Sequence, residues 1–152
     1  VVPANYNCPG QIVVSGDKAA VDAAGELCKA AGAKLVAPLN VSGPFHSPLL
    51  VPAGEKLAET LSGVKFGAPK IPYVCNVSAE KVTDPSLISD LLVRQVYSPV
   101  RWEQSVRVML DDGVEEFVEI GPGKTLAGFM KRIDRAIPVV TVGGAGDLEK
   151  LA

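Results

Sequence analysis

His46 is the only histidine in the chain, and an imidazole that titrates near neutrality can take a proton from a hydroxyl and return it to a leaving group. A lone histidine is as a rule a surface or structural residue, but its context here argues otherwise. It stands in Ser42-Gly43-Pro44-Phe45-His46-Ser47-Pro48, a glycine- and proline-restricted loop between a strand-like stretch and a helix start. Loops at the carboxyl ends of strands are favoured catalytic positions in α/β sheets, so His46 reads as a candidate general base. Its nucleophile is harder to find. The chain has no G-x-S-x-G, the strained strand-turn-helix that a serine nucleophile needs, and no compact Ser/His/Asp spacing. The group that His46 would activate is therefore expected outside this chain.

The remaining motifs point to structure rather than chemistry. Gly121-Pro122-Gly123-Lys124 invites a phosphate-loop reading, because a glycine-rich turn at a helix start offers backbone N–H groups to an anion. It is not G-x-x-x-x-G-K-[ST], and Pro122 removes one donor, so a structural turn is expected. The pairs Asp111-Asp112 and Glu115-Glu116 flank Gly113 and read as solvated surface charge. Cys8, Cys28 and Cys75 are widely spaced and odd in number, with neither CxxC nor a Cys/His cluster. They are expected to be reduced core or loop residues of a cytoplasmic protein, with no metal site.

Composition excludes other classes. The 152 residues carry 15 Lys and Arg against 17 Asp and Glu, a net charge of −2. Phosphate binding needs clustered cations, so nucleic acid is not an expected partner. No apolar run reaches the ~20 residues that span a bilayer, which predicts a soluble chain with no membrane partner. The start, Val1-Val2-Pro3-Ala4, lacks both an initiator Met and a signal-peptide pattern, which suggests a truncated or processed terminus.

The elements that must hold His46 are read from periodicity. Residues 1–6 and 11–16 read as neighbouring strands about the turn Asn7-Cys8-Pro9-Gly10, the second through the β-branched run Ile12-Val13-Val14. Ala20, Val21, Ala24, Leu27, Cys28 and Ala31 recur at three- and four-residue steps, which predicts a helix over 17–31 stopped by Gly32. Residues 34–41 again read as a strand. This β-β-α-β order resembles a ferredoxin-like unit that lacks its first strand and helix. Beyond the His46 loop, a helix from Ser47-Pro48 to about residue 61 is expected to bend at Pro52. Next come a strand over 71–77, helices over 86–95 and 101–112, a strand over 116–120, a helix over 125–133 and a strand over 138–142. Alternating strands and helices imply a partly parallel α/β sheet. The one expected boundary falls near 41–46, which divides the chain into 1–41 and 42–152.

Three blocks occur together in order: Ala4-Asn5-Tyr6-Asn7-Cys8-Pro9-Gly10-Gln11, Val41-Ser42-Gly43-Pro44-Phe45-His46-Ser47-Pro48-Leu49 and Glu119-Ile120-Gly121-Pro122-Gly123-Lys124. Jointly they resemble the malonyl-CoA:acyl carrier protein transacylase family of bacterial fatty acid synthesis, over essentially the whole chain but only the family's C-terminal half. The resemblance implies an α/β fold: the C-terminal part of an α/β-hydrolase-like acyltransferase, residues 42–152, with part of an inserted ferredoxin-like small subdomain, residues 1–41. It implies that His46 is the catalytic histidine, acting on a serine in a G-H-S-x-G elbow of a missing N-terminal half. The other ring nitrogen of that histidine is held in the family by a backbone carbonyl, expected here near residues 119–121. Phe45 is implied in substrate selection, since a Phe at this place accompanies malonyl over methylmalonyl in related polyketide acyltransferases. Asn7 and Gln11 match a motif near the cleft, with Asn7 taken as substrate-binding.

The implied partners are malonyl-CoA and acyl carrier protein, with the coenzyme A thioester a substrate and no cofactor. The arginine that grips the malonyl carboxylate belongs to the family's N-terminal half, and Arg94, Arg101, Arg107, Arg132 and Arg135 do not fall at its position. Two other readings stay open at this point: a non-catalytic fragment or interaction module, and a piece of a polyketide synthase acyltransferase domain.

Overall fold

The computed structural model describes residues 1–151, so Ala152, the expected end of the second part, lies outside the described residues. Strands β1 (Val2–Cys8) and β2 (Gln11–Ser15) form an antiparallel hairpin about Pro9-Gly10. Gly10 turns it at φ 74, a conformation that side chains with a Cβ resist. Asp17 then starts helix α1 (Lys18–Ala30) as its side chain accepts from the Ala19 and Ala20 N–H groups. Ile12 and Val14 of β2 remain 59% and 37% exposed, and α1 has no buried residue. The apolar patterns of these two elements are real, but no described element covers them fully.

Residues 34–41, expected to be a strand, have no regular structure. A strand persists only when its N–H and C=O groups find a ladder. No described strand pairs with this segment, and Leu35 and Leu39 are 82% and 61% exposed.

After the His46 loop a short 3-10 turn, Pro48–Leu50, runs directly into α2 (Val51–Leu61). Pro52 lies in the first turn of α2, where no intrahelical donor is needed, so it costs the helix no hydrogen bond of the kind expected to be lost there. The strand expected over 71–77 shortens to β3 (Tyr73–Cys75) and pairs with β4 (Glu80–Val82), a hairpin partner not anticipated from the sequence. Three polar or small residues in the turn, Asn76, Ser78 and Ala79, hid it, with Ala79 itself at φ 57.

Asp84 caps the 3-10 turn Pro85–Leu87 by accepting from the Ser86 N–H at 2.8 Å, and α3 (Ile88–Tyr97) comes next. The small core of the hairpin contains Cys75, Val77, Val82 and Leu91, with Tyr73 and Ile88 packed on it. Helix α4 (Trp102–Asp111) buries Ser105 and Val106 and ends before Gly113 at φ 87. β5 (Phe117–Ile120) and β6 (Val139–Val142) pair in parallel, joined through α5 (Thr125–Ile133). This is the βαβ crossover expected from the alternating pattern. β1 packs against α4 and α5, which ties the N-terminal hairpin to the C-terminal elements.

Candidate active site

The loop that carries His46 is a tight turn closed by a side chain. Ser47 is buried, and its hydroxyl donates to the Pro44 carbonyl at 2.7 Å. Within that turn His46 adopts φ 56, a left-handed conformation that is uncommon for a residue other than glycine, asparagine or aspartate. Such conformations cost about 1 to 3 kcal/mol and persist where surrounding contacts demand them. The contacts here are those of the ring. His46 Nδ1 lies 3.0 Å from the Gln95 carbonyl oxygen and 3.2 Å from that of Ser98.

Both partners can only accept, so Nδ1 carries the proton and donates to them. In the neutral ring Nε2 is then left as the base. No hydrogen bond runs from Nε2 to a hydroxyl or thiol among the described residues. A nucleophile would have to be brought to it.

These carbonyls correct one expectation. The histidine was expected to lean on a carbonyl near residues 119–121, yet its acceptors come from the end of α3. Glu119 has a different task. Its carboxylate accepts from the Leu126 and Ala127 N–H groups at 3.0 and 2.9 Å and so caps α5, whose Lys124 N-cap contributes no side-chain bond. Two of the donors that an anion would need at Gly121-Pro122-Gly123-Lys124 are therefore taken, which agrees with a structural turn there. Gly121 and Gly123 shape that turn at φ 138 and 96.

The acceptors for His46 were not legible from spacing, since they lie on a helix 49 and 52 residues further along. The available signal was Ser98-Pro99 at the end of a helical pattern, which marks unpaired helix carbonyls.

Phe45 is 51% exposed beside His46, and Asn7 is half-buried at the end of β1. Gln11 is bound within its own hairpin, where Oε1 accepts from the Cys8 thiol at 3.4 Å. Burial pushes the Cys8 thiol above its ordinary range, which keeps it protonated and unreactive. All three cysteines are free thiols, Cys28 alone being exposed. Ser105 is buried and donates to the Arg101 carbonyl at 2.8 Å. Asp112 pairs with Lys81 at the surface. Among the described residues no three His, Cys, Asp or Glu side chains are placed to hold a metal ion, and no helix is long and apolar enough to cross a membrane.

The acyl transferase domain family matches residues 1–145. The chain is 46% identical over 146 residues to the malonyl CoA-acyl carrier protein transacylase of Bacillus subtilis strain 168, an overlap of 96% of this chain and 46% of that protein. Among solved structures, MCAT of Streptococcus pneumoniae superposes with a TM-score of 0.94 at 49% identity, over 99% of this chain and 49% of that one. A type II PKS acyl-carrier protein in complex with its malonyl-transacylase, PlMCAT:AntF, gives 0.94 at 44% identity, over 97% and 48%. The chain thus spans about half the length of the relatives it matches.

Proposed function

The chain belongs to the acyl transferase domain family, and from that premise we propose that it supplies the histidine half of a malonyl transferase. The proposed reaction moves malonyl from coenzyme A to acyl carrier protein in fatty acid biosynthesis, in the cytoplasm. The curated relatives are malonyl CoA-acyl carrier protein transacylases, and one structural neighbour is bound to its carrier protein.

The observation that carries this reading is the imidazole held by Nδ1 on two backbone carbonyls with Nε2 left free. In the proposed mechanism His46 Nε2 accepts the proton of a serine hydroxyl contributed by an N-terminal half. The serine oxygen attacks the thioester carbonyl of malonyl-CoA, the carbon–sulfur bond breaks, and the protonated ring gives its proton to the departing coenzyme A thiolate. The phosphopantetheine thiol of acyl carrier protein then attacks the malonyl-serine ester, with His46 as base for the thiol and acid for the returning serine. Coenzyme A is a substrate here, and no cofactor is needed.

Phe45 is placed by this reading at the wall of the acyl pocket, and Asn7 at the rim of the cleft between parts 1–41 and 42–152. The two backbone carbonyls do for the imidazolium what a triad carboxylate does elsewhere: they orient the ring and stabilise its charge.

The test is incubation with malonyl-CoA and mass analysis of each piece. An adduct on a serine of the N-terminal half, formed only when His46 is intact, supports the reading. An adduct on Ser42 or Ser47 of this chain overturns it.

A further inference from the structure

One helical turn beyond Gln95, whose carbonyl accepts from His46, stands Pro99. In a continuing α-helix this oxygen would accept from the N–H of residue 99, four positions on, and residue 99 is a proline with no N–H. The next two donors are also drawn away from the helix. Val100 N–H goes to the Ala4 carbonyl at 2.8 Å, and Arg101 N–H to that of Asn76 at 3.0 Å. Tyr6 N–H returns a bond to the Val100 carbonyl at 2.8 Å, which fixes the segment to β1. Ser98 is extended at ψ 154, as expected for a residue that precedes proline, and this leaves its carbonyl as the second acceptor for Nδ1.

We propose that Pro99 is a positioning residue for His46: by withholding a backbone N–H it reserves the Gln95 carbonyl for the imidazole and so selects the tautomer with Nε2 free. The proposal rests on the catalytic reading of His46 only for its consequence in turnover. The selection of the ring state is a property of the fold. With an ordinary residue at 99, a competing N–H would stand one helical turn beyond Gln95. The helix could then close its last bond upon itself, and Nδ1 would be left with Ser98 alone.

Because His46 is the sole histidine of this chain, labelling this chain with 15N-histidine and joining it to an unlabelled N-terminal half reports on this ring without overlap. In the neutral ring of the wild type the proton is expected on Nδ1. Pro99→Ala, which would leave Nδ1 one acceptor in place of two, is expected to shift the population partway toward the Nε2-protonated form. N-methylalanine placed at 99 by ligation, which lacks both the N–H and the ring, is expected to keep the wild-type state. In the enzyme completed with its N-terminal half, Pro99→Ala is expected to lower malonyl transfer on the order of 10²-fold, less than the ~10⁴-fold that a fully wrong tautomer costs a serine–histidine site.

An unchanged tautomer in a folded Pro99→Ala chain overturns the proposal. So does a shift of equal size with N-methylalanine, since the ring of proline and not its missing N–H would then be responsible. If Pro99→Ala fails to fold, the N-methylalanine chain decides alone: loss of the Nδ1-protonated state overturns the proposal, and its retention supports it. A shifted tautomer with transfer unchanged would retain the structural inference and count against the catalytic role of His46.

Discussion

His46 Nδ1 and the Gln95 carbonyl oxygen stand 3.0 Å apart across 49 residues of sequence, with the imidazole as donor. The loop before α2 and the last turn of α3 are thereby locked together, and the orientation of the ring depends on how those two helices pack.

Removal of the ring is the first check. In the enzyme completed by an N-terminal half, His46→Ala should lower malonyl transfer by about 10⁴-fold or more, since an unassisted serine is almost wholly un-ionised at neutral pH. The fold should survive, as the residue is only partly buried. Steady-state transfer to acyl carrier protein measures this, and retention of a tenth of wild-type activity would refute the assignment.

The packing of α2 on α3 should be sensitive at Gly54. A Cβ there would lie 2.7 Å from Tyr97 Cε1 and 2.8 Å from its Cδ1, with the Val93 carbonyl oxygen at 3.3 Å. Gly54→Ala can be absorbed by a swing of the tyrosine ring, whereas Gly54→Leu should cost about 1 to 3 kcal/mol by overpacking. Because Tyr97 lies between Gln95 and Ser98, the leucine variant should also broaden or shift the His46 ring signal. Urea denaturation and 15N spectra test both parts, and Tyr97→Ala should relieve the leucine variant.

Glu119 should matter for stability and not for chemistry. Its carboxylate takes two N–H groups at the start of α5, so Glu119→Ala should destabilise by about 1 to 2 kcal/mol. Equilibrium unfolding reads the loss, and a change below ~0.5 kcal/mol would mean that water replaces the cap without cost.

Asp84 carries a pH signature. Its hydrogen bonds from Ser86 hold the carboxyl below its ordinary value of 3.8. The folded group is thus the stronger acid, so its contribution is fully present above the unfolded value and is lost as pH falls through the lower folded one. Asp84→Ala should therefore lower the unfolding midpoint at neutral pH, with the two proteins converging in strong acid. A difference that persists unchanged below pH ~2 would show that the carboxylate is not the cause.

By itself the 152-residue chain should transfer no malonyl and should self-associate. Ile120 and Val118 on β5 are 80% and 44% exposed, and Ile12 on β2 is 59% exposed, a distribution that favours association. Sedimentation of the chain with and without an N-terminal half provides the comparison. A monodisperse, active chain alone would contradict the proposed division of the site.

Elements whose signals are local are legible in the order of residues alone. The stretch around α1 is legible from three- and four-residue apolar steps and from Gly32 at its end, because a helix makes its bonds within a few residues. The β5-α5-β6 order likewise announced a parallel pair, and a lone histidine in a glycine–proline loop marked the candidate base. Packing in three dimensions was needed to show that residues 34–41 find no ladder, that Glu80–Val82 returns against Tyr73–Cys75, that Glu119 caps α5, and that Gln95 and Ser98 hold His46. Each of these is a pairing between segments distant in sequence or a pairing that fails for want of a partner. A residue's type and spacing state what it is able to bond, whereas the partner it receives depends on which surfaces packing brings within about 3 Å.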